Sequence, residues 1–248
     1  MVNKMQKKIF FIVVFISFVI SNGFAKCFLK VGTNAIHPPI SYLDDKNQII
    51  GFDIDIGKAV FEEMGCDYEF VDMKFDGLIP AVQSGKIDVI DCALSMTEER
   101  KKKVDFSDPY TNDGSVIVIN KKDKSIKSMN DLKNKVVGVE LGTIQEIVAR
   151  ENADKIGEIK VFNGDEIFMV IEQGKVDAII GQNSIANFFL TIGKIKNVKT
   201  TGEKIDTRDM AFGIRKGNKN LTAKINKALA KIRENGVYDK IYNKWFGN

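Results

Sequence analysis

The chain has 248 residues, with 37 Lys and Arg against 33 Asp and Glu and a formal charge of +4. Lys4, Lys7 and Lys8 supply three of those charges ahead of a long apolar run; without them the charge is +1, which removes any general electrostatic reason to seek nucleic acid. A single histidine, His37, and three cysteines argue against a metal centre of His/Cys spacing, and no cofactor is expected.

Residues 9–20 (IFFIVVFISFVI) are apolar but far shorter than the ~20 residues a membrane span needs. With the lysines before them and the small residues Gly23 and Ala25 after, residues 1–25 read as a secretory signal peptide cleaved after Ala25. An N-terminal anchor is the alternative, disfavoured by the short run and by Lys26. Lipid anchoring on Cys27 is a third reading, disfavoured because a small residue, not Lys26, usually precedes such a cysteine. Export places the thiols in an oxidising compartment, where three cysteines allow at most one internal bridge. Cys27 and Cys66 each directly precede an apolar strand-like run, so a bridge joins them if those strands are neighbours. Cys92 ends a buried-looking run and reads as a small core residue.

Residues 28–31 form a first strand, followed by a loop whose Pro38 and Pro39 exclude helix. Residues 48–51 return to the core, and Asp53 caps a helix with Ile56, Val60 and Met64 at i, i+4, i+8, stopped by Gly65. Residues 68–71 are a strand, and Asp76 caps a short helix that ends at Gly85. An apolar run then leads into a new helix, where Ser95 and Glu98 have capping-box spacing and Thr97 is a second candidate cap. Arg100 stands near the start of that helix, a fixed cation beside backbone N–H groups that have no helical partner. Such a cluster of donors suits an anion such as a carboxylate. This β-loop-α-β-α-β order is that of a parallel sheet with crossover helices.

A continuous apolar strand at 115–120 and a charged loop follow, and the pattern then begins again. Ser128 and Asp131 cap a short helix, 136–139 is a strand, 144–151 a helix and 159–162 a strand. Asp165 caps a helix ending at Gly174. The letters of 81–90 (AVQSGKIDVI) are echoed at 170–179 (VIEQGKVDAI), so either two similar α/β lobes or a chance recurrence of a common helix-to-strand connection is present. Residues 210–215 return the chain to the first unit. Residues 220–234 are an amphipathic helix, and Tyr238, Ile241, Trp245 and Phe246 make a last docking face.

Ligands of open α/β sheets bind beyond the carboxyl ends of the strands. That rule gathers residues 34–37, 73–75 and 93–100 from the first unit, and 140–145 and 181–183 from the second. The set holds Arg100 for a carboxylate, the hydroxyls of Ser95 and Thr143, the helix start after Gly142, the aromatic Phe75 and the acid Glu140. No histidine lies near a serine or cysteine by any sequence argument, which favours binding over catalysis.

Taken together, Gly51-Phe52-Asp53-Ile54-Asp55, Phe75-Asp76-Gly77-Leu78-Ile79-Pro80, Gly85-Lys86-Ile87-Asp88, Thr97-Glu98-Glu99-Arg100, Asp105-Phe106-Ser107-Asp108-Pro109-Tyr110, Val139-Glu140-Leu141-Gly142-Thr143 and Lys244-Trp245-Phe246-Gly247 resemble bacterial solute-binding proteins of family 3. These are periplasmic capture components of amino-acid ABC importers, and the similarity runs over essentially the whole exported chain. It implies a two-lobed type II periplasmic-binding (Venus-flytrap) fold of the α/β class, each lobe a mainly parallel sheet flanked by helices, with two crossover strands. Residues 26–112 and 207–248 would form one lobe and 113–206 the other. The resemblance gives Arg100 the α-carboxylate, with Ser95 and the backbone of Ala93 beside it for carboxylate and ammonium. Thr143 and the amide of Ile144 approach the carboxylate from the second lobe, while His37 and Phe75 sandwich the side chain.

Three positions depart from that pattern. Gln182 stands where the family places an aspartate for the α-ammonium. Asn34 stands where binders of basic amino acids often have an aspartate, and Ile144 replaces a threonine. Glu140 is an added acid, expected either to meet the ligand's cationic group or to point into solvent. The implied function is capture of a free polar or basic amino acid by a monomer that docks on a membrane permease and its ATPase. A dehydratase of the same fold, acting on prephenate or arogenate with Glu140 as its acid, and a ligand-sensing module are the alternatives.

Overall fold

The computed structural model describes residues 27–164, 166–191 and 195–247. The signal-peptide reading and the cap assigned to Asp165 lie outside them.

Strand β1 (Phe28–Thr33) opens the described chain, and a small antiparallel sheet of β2 (Ile36–His37), β3 (Ser41–Leu43) and β4 (Ile49–Ile50) follows in what the sequence shows only as a loop. Helix α1 (Phe52–Glu63) buries Ile54, Ile56, Val60 and Phe61. It leads to β5 (Asp67–Asp72), α2 (Phe75–Ser84), β6 (Val89–Ile90), α3 (Glu98–Lys103) and β7 (Val104–Phe106). The first large sheet has the order β5-β1-β6, parallel, continued by an antiparallel β13 (Gly213–Arg215) and then β7. Because β1 and β5 pair with Phe28 opposite Asp67, Cys27 and Cys66 stand side by side and form a disulfide.

Three caps differ from the sequence expectation. Helix α1 is entered through Gly51 at φ 144°, a conformation open to glycine, and Asp53 is turned inward instead of capping it. Helix α2 starts one residue before Asp76, after Lys74, with no side-chain cap. Ser95 is still extended and bridges Met210, so α3 cannot start until Thr97, whose hydroxyl is the cap.

Strand β8 (Thr111–Asn120) carries the chain into a second sheet with β9 (Val136–Glu140), β10 (Glu158–Phe162), β11 (Ala178–Gln182) and β12 (Val198–Met210), in the order β10-β9-β11-β8-β12. Its first three strands are parallel and β8 is antiparallel to both neighbours. Both lobes are therefore mixed sheets. Helices α4 (Ile144–Glu151), α5 (Glu166–Glu172) and α6 (Asn183–Thr191) flank this sheet. A short 3-10 turn at Met129–Leu132 has the Ser128/Asp131 capping box. Strands β8 and β12 run alongside each other from Val198↔Asn120 to Met210↔Thr111, and these are the two crossing strands of a type II periplasmic-binding fold. Helices α7 (Lys219–Glu234) and α8 (Val237–Phe246) pack back on the first lobe, where Trp245 donates to Asp55 at 2.8 Å.

The echo between 81–90 and 170–179 is structural. Gly85 and Gly174 both adopt positive φ, 76° and 69°. Asp88 then accepts the N–H of Lys30 on β1 at 2.9 Å, and Asp177 accepts that of Val136 on β9 at 2.7 Å. In each lobe the same glycine turns the chain out of a helix, and the same aspartate pins the start of the next strand to its neighbour.

Candidate ligand-binding cleft

The sheet edges that the chain order brings together enclose a cleft of about 650 Å³, including its open mouth. All ten sequence-derived candidates line it: Asn34, His37, Phe75, Ala93, Ser95 and Arg100 from the first lobe, and Glu140, Thr143, Ile144 and Gln182 from the second.

Arg100 is the third residue of α3, its N–H held by the Thr97 hydroxyl at 3.1 Å. Its guanidinium donates to the Ser95 carbonyl at 3.0 Å and, across the cleft, to the Gly142 carbonyl at 2.9 Å. It lies over the Phe75 ring, 5.4 Å from the centroid. Arg100 is only 6 % exposed, and burial pulls its pKa down to about 10, which leaves it charged at neutral pH. Among the described residues no carboxylate lies within ion-pairing distance of it. A buried cation without a counter-charge is unfavourable, and three of its five N–H donors remain after the two carbonyls are served.

The opposing wall is built on the turn before α4. Gly142 takes φ 77°, and its N–H donates to Glu146 at 2.7 Å. The Thr143 hydroxyl caps α4 by accepting from Glu146 N–H and itself donates to the Glu140 carbonyl at 2.7 Å. The Thr143 hydroxyl is therefore already engaged, and the first-turn amides of Ile144 and Gln145 are the donors this wall has left. Glu140 does lie in the cleft. Its carboxylate meets His37 Nε2 at 3.0 Å, with side-chain exposures of 14 % and 12 %. The acid and the histidine, on different lobes, answer each other. Gln182 donates to the Ser184 hydroxyl at 3.3 Å.

Asn34 donates to the Met73 carbonyl at 3.0 Å, which fixes the orientation of its amide and leaves its Oδ1 buried with no partner. Ser41 holds the loop beneath it, donating to the Asn34 carbonyl at 2.6 Å. Sequence reasoning missed Ser41, which came with the unforeseen β2–β4 sheet. The apolar lining of Ile167, Phe168 and Ile185 was missed as well, while Gln145, inside the gathered segment 140–145, donates to Ser115 at 3.2 Å. Phe168 and Ile185 have the spacing of ordinary core positions, so no local signal separates them from the core.

The chain belongs to the bacterial extracellular solute-binding proteins, family 3, whose pattern it matches over residues 29–248. It is 36 % identical over 222 residues to the arginine-binding extracellular protein ArtP of Bacillus subtilis (strain 168), covering 88 % of this chain and 86 % of the relative. An ancestral arginine-binding protein bound to arginine superposes with a TM-score of 0.86 at 45 % identity, covering 90 % of this chain and 99 % of the other. An ancestral arginine-binding protein bound to glutamine gives the same TM-score at 44 % identity and the same coverage.

Proposed function

We propose that this protein is the capture component of an amino-acid ABC importer and that it closes on a free basic or polar amino acid. The observation that carries this reading is Arg100, a buried cation with no acidic partner among the described residues, facing the amides that open α4. An α-carboxylate placed between them receives guanidinium hydrogen bonds from one lobe and helix N-terminal donors from the other. Phe75 and His37 flank the side chain, Asn34 offers it an acceptor, and Ser95, Ala93, Thr143, Ile144, Glu140 and Gln182 complete the contact surface. Relatives named for arginine, and a related structure holding glutamine, support the ligand class. A catalytic reading would need Glu140 free to give up a proton, whereas here it is engaged by His37.

The ligand favours an already accessible closed state by bonding to both lobes. The lobes divide at the crossing strands, 26–112 with 207–248 against 113–206, and motion between them is delivered by β8 and β12. The protein is exported with cleavage after Ala25, works as a monomer in the periplasm, and delivers its ligand to a permease and ATPase. Thioether attachment of a lipid at Cys27 would require the sulfur that is bonded to Cys66. Thermal-shift measurements of residues 26–248 against the twenty amino acids test the reading. A ligand at a hundred times its Kd adds about 2.7 kcal/mol of stability, and we expect L-arginine or L-glutamine to produce it. No shift with any amino acid overturns it.

A further inference from the structure

Among the described residues, Asp53 Oδ1, both carboxylate oxygens of Asp91 and the Tyr110 hydroxyl are buried together; Tyr110 is the donor nearest Asp53, and neither oxygen of Asp91 has a hydrogen-bond partner. Buried polar groups are ordinarily satisfied, so such a cluster asks for an explanation. Both aspartates are fully buried. Asp53 lies in the first turn of α1, and Asp91 packs one turn further along the same helix face. Gly57 makes the room, since a Cβ there would come within 2.1 Å of Asp91 Oδ2. The second oxygen of Asp53 accepts the N–H of Ala93, a residue held at φ 45°. Ala93 and Cys92 line the cleft, so the two carboxyl groups stand immediately behind its wall.

Two neighbouring buried carboxyl groups cannot both ionise. An amino acid whose carboxylate is on Arg100 also brings an ammonium, and the one carboxylate lining the cleft among the described residues, Glu140, meets His37. We propose that Asp53 and Asp91 together carry a single negative charge behind Ala93, and that this charge is the counter-charge for the α-ammonium of the captured amino acid. The proposal rests on the amino-acid reading above. Burial raises Asp53 to about 7, and burial together with the Asp53 charge raises Asp91 further from its ordinary range. A cation at the wall then favours ionisation, so binding near neutrality releases a fraction of a proton. The other groups around the pair are Tyr110, which approaches Asp53, Cys92 between the pair and the cleft, Tyr238 on α8, and Arg100 and Glu140 beyond Cys92.

Two measurements test this. The first needs no ligand. Carboxyl groups with raised folded-state pKa values stabilise the fold least once they must ionise, so stability falls as pH rises from about 4 through 7. We expect the Tm of residues 26–248 to decline over that range, and Asp91→Asn to flatten the decline. A wild-type profile as flat as that of Asp91→Asn overturns the pair. The second is calorimetry of L-arginine and L-glutamine binding at pH 7 in phosphate and in Tris, which separates proton release from binding heat. Asp53→Asn keeps an acceptor for Ala93 N–H but removes the charge; we expect at least tenfold weaker binding and no proton release. His37→Gln is run beside it because the His37–Glu140 contact is a second place in the cleft that a ligand could disturb. Release that persists in Asp53→Asn and vanishes in His37→Gln overturns the counter-charge role. Wild-type protein that responds to none of the twenty amino acids overturns the amino-acid reading and that role with it, while the pH profile still decides whether the pair exists.

Discussion

The two walls of the cleft handle buried charge in opposite ways. On the first, Arg100 is buried against carbonyl oxygens and an aromatic ring, with no acid among the described residues to neutralise it. On the second, Glu140 is half-buried and already meets His37. One wall carries a charge whose partner must come from outside, and the other has found its partner inside the protein. A ligand is therefore expected to draw most of its binding energy from the first wall, with the second completing enclosure. Substitution at Arg100 is the largest way to break this comparison. Removing one member of a buried charge pair typically costs about 3–5 kcal/mol. Arg100→Met is accordingly expected to weaken amino-acid binding at least a hundredfold by calorimetry. The Tm without ligand should hold or rise, because an unanswered buried cation is lost. Glu140→Gln is expected to weaken binding less than threefold. If Glu140→Gln is the more damaging of the two, the ammonium belongs to Glu140 and the comparison is reversed.

The lobes also differ in how they are held together. The first is stapled by Cys27–Cys66, which are 39 residues apart in sequence, and among the described residues the second has no disulfide. Closing a loop of that length is worth about 4 kcal/mol in the chain-entropy model and about 2–4 kcal/mol in practice. The Cys27→Ser/Cys66→Ser double variant should lose that much stability in urea titrations. The accompanying rise in hydrogen exchange should concentrate in β1, β5 and α1 and spare the second sheet. Equal exchange gains in both sheets would show that the lobes unfold as one unit.

What was legible in the sequence follows the same divide between local and distant causes. Helix α4 was read with both its limits correct because its cap, Thr143, and its charges lie within one turn. The disulfide was stated as depending on strand adjacency, and the β1–β5 register supplies that adjacency. Helix α6 was missed because its start is tied from afar: Asp113 on β8 accepts from Ser184 N–H at 2.9 Å and from the Asn183 amide at 3.3 Å. Strand β12 is not legible in the sequence, since VKTTGEKIDTRDM has little apolar alternation and becomes a strand by pairing with β8. The cleft residues with charge or a helix start beside them are legible in the sequence, whereas Ser41 acts through a partner that only the fold brings near. Asp53 has the sequence position of a cap, ahead of an apolar-periodic run, and nothing local shows that it turns inward to Ala93.

The smallest test asks whether the repeated helix-to-strand connection has the same energetics in both lobes. Gly85→Ala and Gly174→Ala each force a side chain into left-handed backbone, at about 1–2 kcal/mol. A Cβ at Gly174 meets nothing within 4 Å, while one at Gly85 comes within 3.2 Å of the flexible Arg215 guanidinium, so Gly85→Ala should be the slightly worse of the two. Asp88→Ala and Asp177→Ala each remove one hydrogen bond to a strand N–H, at about 1 kcal/mol. Urea midpoints for the four variants should fall into two matched pairs. A pair that differs by more than the cost of a hydrogen bond would mean that the shared letters 81–90 and 170–179 mark a common local connection, with the neighbouring strands deciding its value separately in each lobe.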